Sequence, residues 1–188
     1  MNTDHAELCA SPKWAAHLHQ DVLPLAVERA TLGKELLEVG PGPGAATEWL
    51  RTRVDRLVAV EIEAEAAARL SDRFAGTNVE VRQGNGTALE FADDSFDSAA
   101  SFTMLHHVPT TALQNRLLAE IFRVLRPGGV LVGADSLPGQ SLHAFHEGDI
   151  CHPVEPAVLL VRLQTLGYVD ITLGVGSRLT FSAHKPPA

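Results

Sequence analysis

Cysteine is nearly absent. Cys9 and Cys151 are the only two in 188 residues. Two thiols are too few for a disulfide scaffold, and nothing in the sequence points to secretion, so reduced thiols in the cytoplasm are expected. Long apolar runs are missing as well, and none approaches the ~18 residues of a membrane helix. The opening "MNTDHAELCASPKW" lacks the basic-then-apolar order of a signal peptide. Positive charge is in deficit, with a net charge of −8. That argues against a nucleic-acid partner, because phosphate binding needs a basic footprint. The one basic run, "RTRVDR" at Arg51 to Arg56, reads as a solvated helix end and loop. Internal repeats, low-complexity tracts and obvious linkers are also missing. With 45% apolar residues, the chain suits one domain, 1–188, with a sizeable core.

Within that domain the signals are regular. The first thirty residues look helical, with Ser11 as an N-cap and Pro12 at the first helical position. Pro24 suggests a second helix beginning near Leu23 and ended by Gly33. Strands and helices then alternate. "ELLEV", "RLVAVEI", "VEVRQG", "FDSAASF" and "GVLVGAD" read as strands. "AATEWLRTR", "AEAAARLSDRF" and "TTALQNRLLAEIFRVL" read as helices between them. This order implies a parallel sheet covered on both faces, an α/β Rossmann-like sandwich. "EPAVLLVRLQTLG" is a further helix capped by Gly167. "YVDITLGVGSRLTFSAH" then carries a hairpin signal, so the sheet is expected to finish antiparallel.

The first strand runs into Gly40-Pro41-Gly42-Pro43-Gly44, and a helix follows. Glycines let the backbone turn sharply and let a ligand come close, while the helix start offers free N–H groups. Glu61 ends the second strand, 21 residues after Gly40, where a carboxylate can accept from both hydroxyls of a ribose. The pattern fits adenosine, but it also satisfies a dinucleotide fingerprint or a bare strand-to-helix turn. Three features narrow it. Glu38 sits inside the apolar strand and needs a partner, either a cationic amino group or the turn's own N–H groups. "QGNGTALEF" places Asn85 and Gly86 after the third strand, where an adenine edge can be read. "VLRPGG" stops a helix before the fifth strand.

The order E-x-G-x-G-x-G, an acidic end to the second strand, G-N-G after the third, "FADDSFD" before the fourth and "VLRPGG" before the fifth resembles the class I S-adenosylmethionine-dependent methyltransferases. The likeness covers Glu35 to Ser136. It implies a seven-stranded sheet in order 3-2-1-4-5-7-6 with an antiparallel last strand. It also implies that Glu38 and the turn of Gly40, Pro41, Gly42 and Gly44 lie beside the methionine moiety of S-adenosyl-L-methionine. Glu61 would bind the ribose, Ile62 would pack on adenine, and Asn85 and Gly86 would meet the adenine ring. Ser101 and Phe102, with the residues up to Met104, would line the sulfonium. Asn85 departs from the commoner aspartate; its carbonyl oxygen can still accept from an amino group.

Methyl transfer to a neutral hydroxyl needs a base, and histidine suits neutral pH. His106-His107 follows the fourth strand. The pair either caps the loop beneath the next helix or aims one imidazole at the methyl. His143, His146, Asp149 and His152 recur every third residue after the fifth strand, at the ligand edge of the sheet. They supply a base and an acceptor rim, or they are solvated loop residues. A divalent metal held with Asp135 is the alternative, not the expectation, because no HxxxH pair or paired carboxylates stand out. Trp14, His17 and His19 lie in a leading segment, 1–32, expected to form a lid. Trp14 either stacks on the ligand or anchors the helix.

The expectation is an O-methyltransferase with a small polar acceptor such as a sugar or polyketide hydroxyl. Its base is drawn from His106, His107, His143 and His146. The cofactor core is 35–136, the acceptor side 137–155, and the final helix and hairpin 156–184. No added recognition domain is expected, which favours a small molecule over protein or nucleic acid, and a monomer or homodimer is expected. The alternatives are C- or N-methylation of a lipid-like, quinone or amine acceptor, and a nicotinamide-dependent oxidoreductase.

Overall fold

A computed structural model describes residues 3–28 and 30–188. The expected helical leader includes positions 1, 2 and 29, which lie outside the described residues. Seven strands form one sheet in the order β3-β2-β1-β4-β5-β7-β6. They are β1 (Glu35–Val39), β2 (Arg56–Glu61), β3 (Val79–Gln83), β4 (Phe96–Phe102), β5 (Leu125–Asp135), β6 (Val169–Val175) and β7 (Leu179–His184). The first five pair in parallel. β7 inserts antiparallel between β5 and β6.

Side-chain alternation divides the core into two layers. Leu37, Val58 and Leu131 point to the face covered by α6 (Thr111–Val124) and α8 (Pro156–Thr165), where they meet Leu118, Ile121 and Leu163. Leu36, Leu57 and Val132 point to the other face. There they meet α3 (Leu23–Val27), α4 (Ala45–Leu50) and α5 (Ala64–Arg73). A strand buried on both faces needs apolar residues of both parities, which is why "ELLEV" and "RLVAVE" read as near-continuous apolar runs. Along α6, Leu117, Leu118, Ile121 and Val124 recur at helical spacing, and Thr110 caps its start by accepting from Leu113 N–H.

The N-terminal segment departs from expectation. Helix α1 (Thr3–Ala10) is followed by α2 (Pro12–His17), which Ser11 caps through Trp14 N–H at 3.1 Å. A π-helical turn, Leu18–Val22, then feeds directly into α3. Helix α3 therefore ends well before Gly33. That glycine instead has φ +70, and a Cβ there would lie 2.4 Å from Asp97 Cβ. The close approach lets Asp97 Oδ2 accept from Lys34 and Glu35 N–H, both at 2.9 Å, and so fixes the start of β1. Arg126, the arginine of "RPGG", bonds the other Asp97 oxygen and Glu35, each at 2.7 Å. So β5 begins at Leu125 with no break after α6, and the arginine clamps the sheet edge away from the glycine turn. Helix α4 stops at Leu50, short of the expected Arg53, because Arg53 N–H closes a turn on Leu50 C=O at 2.9 Å. No helix among the described residues is long and apolar enough to cross a membrane.

Candidate active site

The parallel strands β1, β2, β4 and β5 all end at one edge, and the cavity opens there. It encloses about 590 Å³, within the usual range for a small-molecule site. The glycine turn is its floor. Gly40, Gly42 and Gly44 have φ of +71, +53 and +85. Gly44 N–H bonds Pro41 C=O at 3.0 Å, which closes the turn. The three glycines serve different ends. A Cβ on Gly40 would collide with Met104, and one on Gly44 with Leu70 and Phe74, but one on Gly42 would meet nothing. Only Gly42 borders open space.

Two carboxylates face this floor. Glu38 is 2% exposed and accepts from the Thr47 hydroxyl at 2.7 Å. The turn's own N–H groups go elsewhere: Gly40 N–H bonds Val60 C=O and Gly44 N–H bonds Pro41 C=O, both at 3.0 Å, and Gly42 N–H bonds Glu61 Oε2 at 3.2 Å. Burial pushes Glu38 up to about 7, Thr47 pulls it down, and Glu61 adds to the rise. Glu61 is itself 8% exposed, and its second oxygen accepts from Glu63 N–H at 3.2 Å. Ile62 is 57% exposed and forms part of the wall, an apolar plate beside Glu61. Asn85 spends its carbonyl oxygen on Thr87, accepting from both N–H and hydroxyl at 2.9 Å. Its amide nitrogen, a donor, is what remains.

The wall also includes Cys9, Trp14, Met104, His107, Asp149 and Ile150. Thr103, also on the wall, has φ +52, a strained conformation for a β-branched residue. The 3₁₀ turn Leu105–His107 carries the histidine pair. His106 is buried, and its Nδ1 donates to Asp135 Oδ1 at 2.5 Å. Its Nε2 lies 3.2 Å from Nε2 of His146, which is also buried. The His146 Nδ1–H donates to Leu142 C=O at 2.7 Å. The His107 ring sits 4.1 Å from that of His106 and 5.2 Å from that of His146.

A family model described as a methyltransferase domain matches residues 37–133, from β1 to β5. The chain belongs to the class I S-adenosylmethionine-dependent methyltransferases. It is 31% identical over 151 residues to a probable S-adenosylmethionine-dependent methyltransferase of Mycolicibacterium smegmatis, covering 76% of this chain and 55% of that protein. It is 36% identical over 113 residues to erythromycin 3''-O-methyltransferase of Saccharopolyspora erythraea, covering 56% of this chain and 36% of that one. An S-adenosylmethionine-dependent methyltransferase from Methanosarcina mazei has the same fold, with a TM-score of 0.74 at 19% identity, covering 88% of this chain and 98% of that one. The chain thus spans about half the length of the first of these relatives. Family membership implies S-adenosyl-L-methionine as the cofactor in place of a nicotinamide.

Most residues expected at this methyltransferase cavity line it: Glu38, Gly40, Pro41, Gly42, Glu61, Ile62, Asn85, Gly86 and Phe102. Gly44 and Ser101 do not. Gly44 packs against α5, and Ser101 is enclosed within β4, its hydroxyl without a hydrogen-bond partner among the described residues. The structure brings His106, His107 and His146 together and leaves His143 apart. His143 is exposed on α7 (Gln140–Phe145), 3.9 Å from Cys151 Sγ. His152 bonds the Thr111 hydroxyl, and His17 bonds Asp21. His19 Nε2 donates to Ala45 C=O at 2.7 Å, tying the leading segment to the start of α4. Trp14 packs on the core, and its ring also lines the cavity under Arg178. Cys9 on the same wall was not foreseen; burial pushes its thiol up, with Arg178 pulling the other way.

Proposed function

We propose that the chain moves a methyl group from S-adenosyl-L-methionine to a hydroxyl of a small polar acceptor, and that the histidine cluster draws off the proton. His107 is the observation that carries the reading. It stands on the cavity wall beside Met104, backed by His106 and His146. The likeness to erythromycin 3''-O-methyltransferase supports the choice of oxygen.

The residues fit the cofactor. A buried Glu38 with no cationic partner among the described residues suits an ammonium group, and the open space beside Gly42 admits a ligand against bare backbone. Glu61 would accept from the ribose hydroxyls while keeping its backbone bonds, since a carboxylate has about four acceptor sites. Ile62 would cover the adenine face. Asn85 would donate to a ring nitrogen of adenine rather than accept from its amino group, because its oxygen is spent on Thr87. When bound, the cofactor supplies an electrophilic methyl on its sulfonium. Trp14 and Met104 would exclude water from that end, and the cluster would hold the acceptor oxygen and its proton.

Two measurements test this. Calorimetry with S-adenosylhomocysteine should show one site, weakened about 10–100-fold by Glu61→Ala, which removes charge-assisted hydrogen bonds. A wild-type chain that binds neither S-adenosylmethionine nor S-adenosylhomocysteine overturns the cofactor assignment. Turnover on a panel of hydroxylated acceptors should fall roughly 10²–10⁴-fold in His107→Ala while S-adenosylhomocysteine still binds as before. Full turnover in that variant removes the histidine from the mechanism. The apolar side chains of Met104, Leu113, Leu117 and Ile150 favour C- or N-methylation of a lipid-like acceptor as the second reading. Activity on quinone or amine acceptors alone would establish it.

A further inference from the structure

We infer that His106, His107 and His146 form a transition-metal site at the acceptor end of the cavity. On each buried ring the hydrogen-bonded Nδ1 fixes where the hydrogen sits. Leu142 C=O can only accept, so the His146 Nδ1 it bonds carries hydrogen. Asp135 Oδ1 also accepts from Ser136 N–H at 2.7 Å, which marks that oxygen as an acceptor and puts the hydrogen of the His106 bond on Nδ1. In its neutral form each ring therefore has its lone pair at Nε2, and these two atoms are 3.2 Å apart. A proton on either ring would make this contact a single N–H···N bond, whereas a metal ion would take both lone pairs at once.

A metal ion fits this spacing. At ~2.0–2.1 Å from each nitrogen, two corners of a tetrahedral site are about 3.3 Å apart. The outer bonds fit as well. Metal-bound histidines donate their other N–H to a carboxylate or a backbone carbonyl, and this chain provides one of each. The ring planes of His106 and His146 cross at 85°, and a ligand nitrogen of His107 completes a set whose members all lie within 4.8 Å of one another. His107 lines the cavity, so the ion's remaining position faces the acceptor side. Imidazole donors select zinc, cobalt, nickel or copper over magnesium or calcium.

The site deepens the methyl-transfer reading and rests on it only for its purpose. An ion here would polarise an acceptor hydroxyl, whose proton would then pass to bulk water rather than to an imidazole as the oxygen takes the methyl and S-adenosylhomocysteine leaves. Binding itself does not depend on that purpose.

The test uses the whole chain, stripped with a chelator and titrated with Co²⁺. Visible absorption of nitrogen-ligated Co²⁺ should saturate at one ion per chain, and Zn²⁺ should displace it. His146→Ala and His106→Ala should bind at least about 100-fold more weakly, and Asp135→Asn about 10–100-fold more weakly. His143→Ala should bind like the parent. S-adenosylhomocysteine calorimetry on each variant shows that it is folded. Absence of the absorption, or histidine variants that bind Co²⁺ like the parent, overturns the site and leaves the methyl-transfer reading standing. Tight Co²⁺ binding by a chain that methylates no acceptor overturns that reading and leaves the site.

Discussion

At pH 8, without cofactor, Glu38→Gln is expected to melt several degrees above the parent chain and to bind S-adenosylhomocysteine about 10–100-fold more weakly. Burial raises Glu38 to about 7 from an ordinary value of 4.5. Below pH 4.5 the carboxyl is protonated in both the folded and the unfolded chain, and the shift costs nothing. Between 4.5 and 7 the unfolded chain gives up its proton more readily, so stability falls as pH rises. Above 7 the full penalty is present, up to about 3 kcal/mol. Glutamine carries no charge and keeps an acceptor for the Thr47 hydroxyl, so it avoids that penalty. It also removes the counter-charge for the cofactor's ammonium group. The melting advantage should close as pH approaches 4.5. A variant that melts below the parent at pH 8, or that binds S-adenosylhomocysteine undiminished, would show that Glu38 is a structural carboxylate without a role at the cofactor.

The same glutamate shows what was legible in the sequence. Its position inside an apolar strand announced an unusual charge, but its partner Thr47 lay nine residues on, in a helix whose inward face the pattern did not single out. The sheet itself was legible because its rules are local. Double-faced strands read as apolar runs, α6 carries its stripe at helical spacing, and the terminal hairpin has a glycine-rich turn. The π-helical turn before α3 was not, since nothing in "LHQDV" differs from an ordinary helix. The histidine cluster was out of reach for another reason. His106 meets Asp135 across 29 positions and His146 across 40, so only the assembled sheet edge brings them together. Periodicity grouped His143 with His146, whereas the short α7 turns one outward and the other in. In sequence the arginine of "RPGG" looks like part of a stop signal, while its bonds to Asp97 and Glu35 make it a clamp.

Gly42→Val and Gly44→Val should separate binding from folding, although the sequence presents the two glycines alike. Both have positive φ, so either substitution costs about 1–2 kcal/mol of backbone strain. At Gly44 the new Cβ would lie 2.5 Å from Leu70 Cδ1 and 2.9 Å from Phe74 Cε2. Both side chains are buried beneath the turn and have no room to yield. Overpacking of that kind adds roughly 1–3 kcal/mol, and the total is a large share of the ~5–15 kcal/mol that holds a domain together. Gly44→Val is therefore expected to unfold at much lower urea or to accumulate as aggregate. At Gly42 the Cβ enters open space, and the backbone N–H that bonds Glu61 survives the change. That variant should fold with only the strain cost and lose at least about tenfold in cofactor affinity, because its side chain occupies the space against which the ligand must lie. Urea melts paired with S-adenosylhomocysteine calorimetry read both effects. If Gly42→Val instead loses its fold, or keeps its affinity, then the open space beside Gly42 is not where the cofactor sits.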